Sequence, residues 1–462
     1  MEPSCDQLYN RAIELLENTD QYRIIILLIG APGTGKTTVA NKLVNKLNKE
    51  FNRRQQNKQQ RENKLINSKD TTNQNVNIEE YFKDTLKDLP VYEKDNFNPS
   101  PEDDSFKPRK FKYNDNKYSV IGRGGLKYSQ IELSNDTATH SIDSNNINNE
   151  NVEFAKRISM DGFHLPRDLL SSFKDPQEAF DKRGSPKTFD PYMVSTLSTL
   201  LKDTCKTKVP SEILKKKENK HDVFFTLDSN VTGIPTIRAP DFNHELKDPT
   251  LNGITIDSRP RVLVFEGLYL LLNKPIWSNI YSSFQNRLTL STLENCKKSL
   301  TKSKPTTPTA RKLTSSSHIT NFRVPNHNTR KRLQFYISVQ DDSMKVTTIN
   351  PGHIYYKDNN TIVNEPAEVD NVTSESPEIT TANERNYSSL TTSKNGVVSE
   401  FWKIEIPDGK ITSKRVANRH LDSKIVETLD EGYKRYFNND KINGDLVDNS
   451  SFEPDLLIDN SK

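Results

Sequence analysis

Cysteine is nearly absent. The three in 462 residues, Cys5, Cys205 and Cys296, lie far apart without a C-x-x-C pair, a pattern that excludes a disulfide framework and a structural zinc site. Long apolar runs are missing too: the longest, Ile24–Ile29, is bounded by Arg23 and Gly30 and falls far short of the roughly 20 residues that span a bilayer. No transmembrane segment is expected. Neither sign of charge dominates, since 66 basic and 62 acidic residues leave a formal net charge of +4. Such a balance sets up no strong field toward nucleic acid or anionic membrane. A basic patch interleaved with aromatics is also lacking, so no nucleic-acid partner is expected. Hydrophobic residues make up 32% of the chain, against roughly 45–50% for a typical globular composition; much of the chain therefore cannot be core. The start, Met1-Glu2-Pro3-Ser4-Cys5-Asp6, lacks the features of signal and transit peptides, and the expected location is cytoplasmic.

Four apolar stretches stand out from polar surroundings: Asp6–Asn48, Phe154–Thr204, Pro235–Phe284 and Glu400–Ile458. They are read as a single domain spanning 1–462, interrupted by two largely disordered insertions, 49–153 and 285–399, whose polar composition buries too little to offset the entropy of ordering. The first insertion carries a candidate hairpin at 117–133, around Arg123-Gly124-Gly125. Within the apolar stretches, helical spacing over Ser4–Glu17 and Lys36–Leu47 alternates with candidate strands Arg23–Ile29, Ala155–Met160, Arg261–Phe265, Phe401–Ile406 and Asp455–Ile458. Short apolar strands alternating with helices predict an α/β fold, a parallel sheet with helices on both faces.

Gly30-Ala31-Pro32-Gly33-Thr34-Gly35-Lys36-Thr37 matches G-x-x-x-x-G-K-[ST], between a strand and an amphipathic helix. Glycines let successive N–H groups turn inward around the phosphates of ATP, Lys36 neutralises β/γ oxygens, and Thr37 offers its hydroxyl to Mg²⁺; Thr38 completes the nucleotide-binding run. A second signal is Ser159-Met160-Asp161-Gly162-Phe163-His164-Leu165-Pro166-Arg167. It places a carboxylate, an imidazole and a guanidinium just past a strand, where α/β proteins bind ligands. Asp161 there can accept a hydroxyl proton. Taken alone, the Asp-Gly is as readily a turn and His164 as readily a packed histidine.

Further runs follow in order: Arg183-Gly184-Ser185-Pro186-Lys187-Thr188-Phe189-Asp190, Phe242-Asn243-His244-Glu245-Leu246-Lys247-Asp248-Pro249, Phe265-Glu266-Gly267-Leu268-Tyr269 and Arg415-Val416-Ala417-Asn418-Arg419-His420. In this order they resemble the phosphoribulokinase, uridine kinase and bacterial pantothenate kinase group of P-loop kinases, nearest to a fungal branch with an unestablished acceptor. The resemblance implies a nucleoside-kinase-like P-loop fold and γ-phosphoryl transfer from ATP to a hydroxyl of a small-molecule acceptor. For the fungal branch it also implies a link to endoplasmic reticulum membrane assembly. It makes Asp161 the general base, puts His164, Arg167, Arg183, His244 and Tyr269 at the acceptor, and gives Glu266 the Walker B place beside Mg²⁺. The lid is expected over 409–437, with Arg415 and Arg419 four apart on one helical face and so able to reach phosphate oxygens together. Asn243 stands where uridine kinases have aspartate, and Gly162-Phe163-His164 where they have Ser-Phe-Tyr; both departures point away from a nucleoside acceptor.

The alternative from another class is a P-loop ATPase or nucleotide-gated binding protein. It needs only the P-loop and Glu266, with the insertions as partner-binding arms, and has no use for an acceptor base or lid arginines.

Overall fold

The computed structural model describes residues 5–61, 76–94, 97, 100, 102–135, 153–209, 233–293 and 396–461, and five strand segments between 318 and 362. Its centre is a parallel five-stranded sheet. The strands, in chain order, are β1 (Ile24–Gly30), β5 (Ala155–Ser159), β8 (Val262–Gly267), β9 (Ser399–Glu405) and β10 (Leu456–Asp459), arranged β10-β9-β1-β8-β5. All seven residues of β1 are buried, as an inner strand covered on both faces requires.

The two faces carry separate cores. Ile24, Ile26 and Leu28 of β1 join Val262 and Val264 of β8 against α1 (Cys5–Glu17) and α2 (Lys36–Arg61), where Leu15, Leu16, Leu43 and Leu47 supply the apolar stripe. Ile25, Leu27 and Ile29 point the other way, onto Met193, Leu197 and Leu201 of α3 (Pro191–Thr204). Asp190 starts α3 by accepting a hydrogen bond from Met193 N at 3.2 Å, with Pro191 in the first turn, where its missing N–H costs nothing.

A second sheet shares that core. Strands β2 (Arg109–Asn114), β3 (Lys117–Ile121), β4 (Gln130–Ser134), β6 (Thr236–Asn243) and β7 (Asp248–Ile256) form an antiparallel sheet in that order. Polar composition alone suggests a largely disordered 49–153; its described part instead holds α2 as far as Arg61, the short helices Ile78–Tyr81 and Lys83–Leu86, and three of these strands. The reason is period two: a strand needs apolar side chains only at alternate positions to feed a core, here Tyr118 and Val120 on β3 and Ile131 and Leu133 on β4, while Ser119, Glu132 and Ser134 are buried as polar residues on the opposite face. Residues 62–75 and 136–152 lie outside the described residues.

Past β9 come α4 (Gly409–Asp422), α5 (Leu429–Arg435) and α6 (Lys441–Ser450), with a π-helical turn, Tyr436–Asp440, between α5 and α6. Where one domain over 1–462 is expected, the chain divides into two compact units, Met1–Cys296 with Ser389–Lys462, and Lys297–Ser388. Within the smaller unit, His318–Asn321, Gln334–Gln340 and Ser343–Ile349 form an antiparallel sheet, and Tyr356–Lys357 pairs with Thr361–Ile362; the rest of that unit lies outside the described residues. The expected insertion 285–399 also starts too early. Arg287 donates to both carboxylate oxygens of Asp455 at 2.9 and 2.8 Å, and Leu290 and Leu293 are buried in the α1–α2 core.

Candidate active site

Strand register brings the expected chemistry to one edge. Leu28 and Ile29 of β1 lie opposite Glu266 and Gly267 of β8, and Ser159 of β5 lies opposite Glu266. The P-loop, Glu266 and the turn carrying Asp161 therefore all leave the sheet at its C-terminal edge. In the P-loop, Gly33 and Gly35 have φ of 81° and 91°, a region side chains disfavour. A Cβ on Gly33 would sit 2.7 Å from Val416 Cγ2 and 2.9 Å from the Thr412 carbonyl oxygen, so α4 rests directly on the loop. Gly30, Ala31, Pro32 and Thr34 complete it, Thr34 donating its hydroxyl to Ala31 O at 2.8 Å.

Lys36 Nζ donates to the carbonyls of Gly30 and Ala31 at 2.8 and 3.2 Å. Burial lowers its pKa; the carboxylates of Glu266, Asp161 and Asp440 work against that shift and Arg419 works with it. All four of those groups therefore lie close enough to act on the Lys36 charge. Thr37 and Thr38 are exposed in the first turn of α2. Thr37 Oγ1 donates to Glu266 Oε2 at 3.0 Å, while Arg157 Nη1 donates to Glu266 Oε1 at 2.6 Å. A hydroxyl and a carboxylate side by side form the hard-oxygen pair that suits Mg²⁺, which takes few protein ligands and completes its shell with phosphate oxygens and water. The site's donors fit that metal.

Ser159 Oγ accepts from Asp161 N at 3.2 Å and so sets the short turn Met160–Phe163. The Asp161 side chain is 46% exposed and accepts no hydrogen bond among the described residues. His164 is placed differently. Its Nδ1 bonds the Asp161 carbonyl at 2.9 Å, its ring packs 3.9 Å from Phe189 and 5.1 Å from Phe242, and burial holds it below the usual histidine pKa.

The other expected acceptor residues divide in the same way. Arg167 and His244 are exposed. Arg183 is engaged by protein, donating to Lys247 O at 2.6 Å, Leu165 O at 3.1 Å and Asp248 Oδ1 at 2.7 Å. Tyr269 is buried and donates to Gly184 O at 2.8 Å. Asn243 accepts from Glu245 N and Leu246 N at 2.9 and 3.0 Å, closing the β6–β7 turn; its amide serves the backbone there.

On α4, Asp408 caps the N-terminus by accepting from Lys410 N at 2.9 Å. Thr412, Val416 and His420 are buried, whereas Arg415 and Arg419 share the exposed face. Arg419 Nη2 lies 3.9 Å from Asp440 Oδ1. His420 donates from Nε2 to Asp440 Oδ2 at 2.8 Å.

Three comparisons bear on this arrangement. A model of the AAA domain, dynein-related subfamily, matches residues 25–84, the stretch holding β1, the P-loop and α2. The ATP-dependent kinase YFH7 of Zygosaccharomyces rouxii is 33% identical over 300 residues, covering 61% of this chain and 72% of that protein. The protein of that name from Saccharomyces cerevisiae strain YJM789 is 33% identical over 288 residues, 60% of this chain and 79% of its own. The chain belongs to this YFH7 family of ATP-dependent kinases. The crystal structure of YFH7 from Saccharomyces cerevisiae, a candidate P-loop kinase with a circular permutation, aligns over 99% of this chain and 98% of that one with a TM-score of 0.59 at 22% identity. The P-loop kinase fold is thereby established.

Several residues around this YFH7-family site escape sequence reasoning. Asn460, past β10, donates from Nδ2 to Thr34 O at 2.7 Å and covers Gly35; nothing in its sequence neighbourhood marks it. Asn439 lies in Tyr436–Asn443, a stretch whose letters resemble the family's pattern but suggest no chemical role; it donates to Arg183 O at 2.9 Å and so ties the π-helical turn to the Arg183–Asp190 run. Arg123, 3% exposed, donates to the Lys187 and Phe189 carbonyls at 2.9 and 2.5 Å, holding the same run from the β3–β4 turn. Arg157 did carry a signal, a cation next to Lys156 within a predicted strand.

Proposed function

We propose that this protein transfers the γ-phosphoryl group of ATP to a hydroxyl of a small-molecule acceptor, with Mg²⁺ at Thr37 and Glu266. The observation that carries the reading is Asp161: at the sheet edge with the P-loop and Glu266, it alone of the three cleft carboxylates has no hydrogen-bonded partner among the described residues. A general base must keep an oxygen free for the proton it takes.

In this reading the P-loop amides and Lys36 hold the β/γ-phosphates, and Asp161 orients the acceptor hydroxyl. The hydroxyl oxygen bonds to the γ-phosphorus, the bond to the ADP bridging oxygen breaks, and the hydroxyl proton passes to Asp161. Mg²⁺, when bound, neutralises charge on the phosphate oxygens. Lid helix α4 brings Arg419, with Arg415 behind it, to the transferring group. His164, Arg183 and Tyr269 shape the acceptor side through their protein bonds, leaving Arg167 and His244 to meet the acceptor. The order of the motifs supports the wider kinship with phosphoribulokinase, uridine kinase and pantothenate kinase. The nearer resemblance to the fungal branch supports a part in endoplasmic reticulum membrane assembly.

The AAA match is the observation favouring a P-loop ATPase without an acceptor, but it ends at residue 84, before Asp161, Glu266 and α4. A pooled metabolite screen with ADP release as readout separates the two. A kinase gives release that depends on one alcohol and a phosphorylated product; release indifferent to every pool would support the ATPase.

A further inference from the structure

Arg157 is one of two adjacent cations in the edge strand β5, beside Lys156, and the P-loop chemistry described above leaves it without a task. Its surroundings supply one. Register pairs Arg157 with Val264 and Ser159 with Glu266, and side chains two residues apart on a strand share a face, so Arg157 and Glu266 are diagonal neighbours. That face is the one on which Val264 packs against α2, the helix whose first turn presents Thr37. The Glu266 side chain is 3% exposed and that of Arg157 31%: the carboxylate is shut in, with the guanidinium reaching it from the rim. Each carboxylate oxygen has its own donor, Oε1 from Arg157 Nη1 at 2.6 Å and Oε2 from Thr37 Oγ1 at 3.0 Å.

We infer that Arg157 is a positioning residue for the metal-holding carboxylate, fixing Glu266 through Oε1 so that Oε2 stays turned toward Thr37 and the cation. This rests on the reading of Thr37 and Glu266 as the Mg²⁺ pair. The physical case is orientational. A carboxylate at the end of three rotatable side-chain bonds must lose that freedom when it takes up a role at a metal, and a charge-assisted bond to one oxygen imposes the loss beforehand. Arg157 also faces nothing else charged that it bonds among the described residues, so its one salt bridge defines its function.

The test measures nucleotide binding rather than turnover. ATP affinity of the full chain is titrated with and without Mg²⁺, and the ratio of the two reports how well the site uses the metal. Arg157→Met keeps the length of the side chain and removes the bond; the ratio should fall roughly tenfold or more, the loss usual when a group supporting a metal ligand is removed. Metal-free ATP affinity should stay near that of the parent protein. Arg157→Lys restores a cation without the planar fork and should recover part of the ratio. It also serves if the Met variant does not fold. A ratio unchanged in the folded variants, or raised in them, would overturn the inference, the second by showing Arg157 to be a competitor of the metal. Glu266→Gln separates the two levels: if it too leaves the ratio unchanged, the metal reading itself fails, whereas a fall in Glu266→Gln alone removes only Arg157.

Discussion

Gly162→Ala should disable phosphoryl transfer without touching the nucleotide site. A Cβ built on Gly162 meets the Pro240 carbonyl oxygen at 2.2 Å, its carbon at 2.6 Å and Asp241 Cα at 3.0 Å. These are backbone atoms of β6 at the irregularity between Ala239 and Asp241, both of which pair with β7; no rotamer change can relieve them. Ordinary contact begins near 3.4 Å, so the turn must back away by about 1.2 Å, the difference between 3.4 and 2.2 Å. Asp161 is the adjoining residue and moves with it. Misplacing a reacting group by about 1 Å costs roughly 10²-fold in rate, and overpacking of this kind costs about 1–3 kcal/mol of stability. Three readouts on the purified variant decide the matter: acceptor-dependent ADP release, with a deproteinised cell extract as acceptor source, MgATP affinity by fluorescent-nucleotide titration, and the melting midpoint. Release should fall by about two orders of magnitude, affinity should hold, and the midpoint should drop by a few degrees. Parent-like release from a variant with a parent-like midpoint would refute the placement of Asp161; an affinity loss as large as the rate loss would refute the separation of the two sites.

Lys36→Ala should abolish ATP binding and turnover with the melting midpoint nearly unchanged, since it removes a phosphate ligand and no core; retained affinity by titration would show the P-loop assignment to be mistaken. Arg419→Ala should reduce acceptor-dependent turnover at least tenfold more than ATP affinity, because a lid arginine acts chiefly on charge that develops in transfer; matched losses would mean ground-state binding. His164 is held below its ordinary value of 6.5 by burial, so the unfolded chain takes its proton first as pH falls. Stability should therefore drop below pH about 6.5 and stay level above it with respect to this group. His164→Phe should flatten that slope in thermal melts, and an identical slope in both proteins would contradict the assignment.

Legibility in the sequence followed the locality of each interaction. The P-loop could be read because all its parts lie within eight consecutive residues and its flanking strand and helix, Ile24–Gly30 and Lys36–Arg61, carry strong local patterns. Asp161 could be read as a strand-end carboxylate for the same reason. Strand β2 was obscured by its polar neighbours, whereas the stretch holding β3 and β4 could be read as the candidate hairpin at 117–133; the pairing of Glu132 with Arg238 across the β4–β6 ladder, which spans more than a hundred residues, could not. The Arg183 and Asp248 runs were visible as motif letters, but not that the two residues bond each other, a fact of tertiary geometry. The lid arginines were legible as an i, i+4 pair; the seat of the opposite face, Thr412 and Val416 on Gly33, was not, because a close backbone approach leaves no mark beyond the glycine itself.

The central claim, a kinase with Asp161 as its base, is tested most directly by Asp161→Asn, which keeps the side chain's size and removes its ability to take a proton. MgATP affinity and acceptor-dependent product formation are measured on the same preparation, with product followed by mass spectrometry. The account predicts unchanged affinity and a fall in product formation of roughly 10²–10⁴, the range for a positioned general base. Product formed at the parent rate by a variant that binds MgATP normally would contradict it.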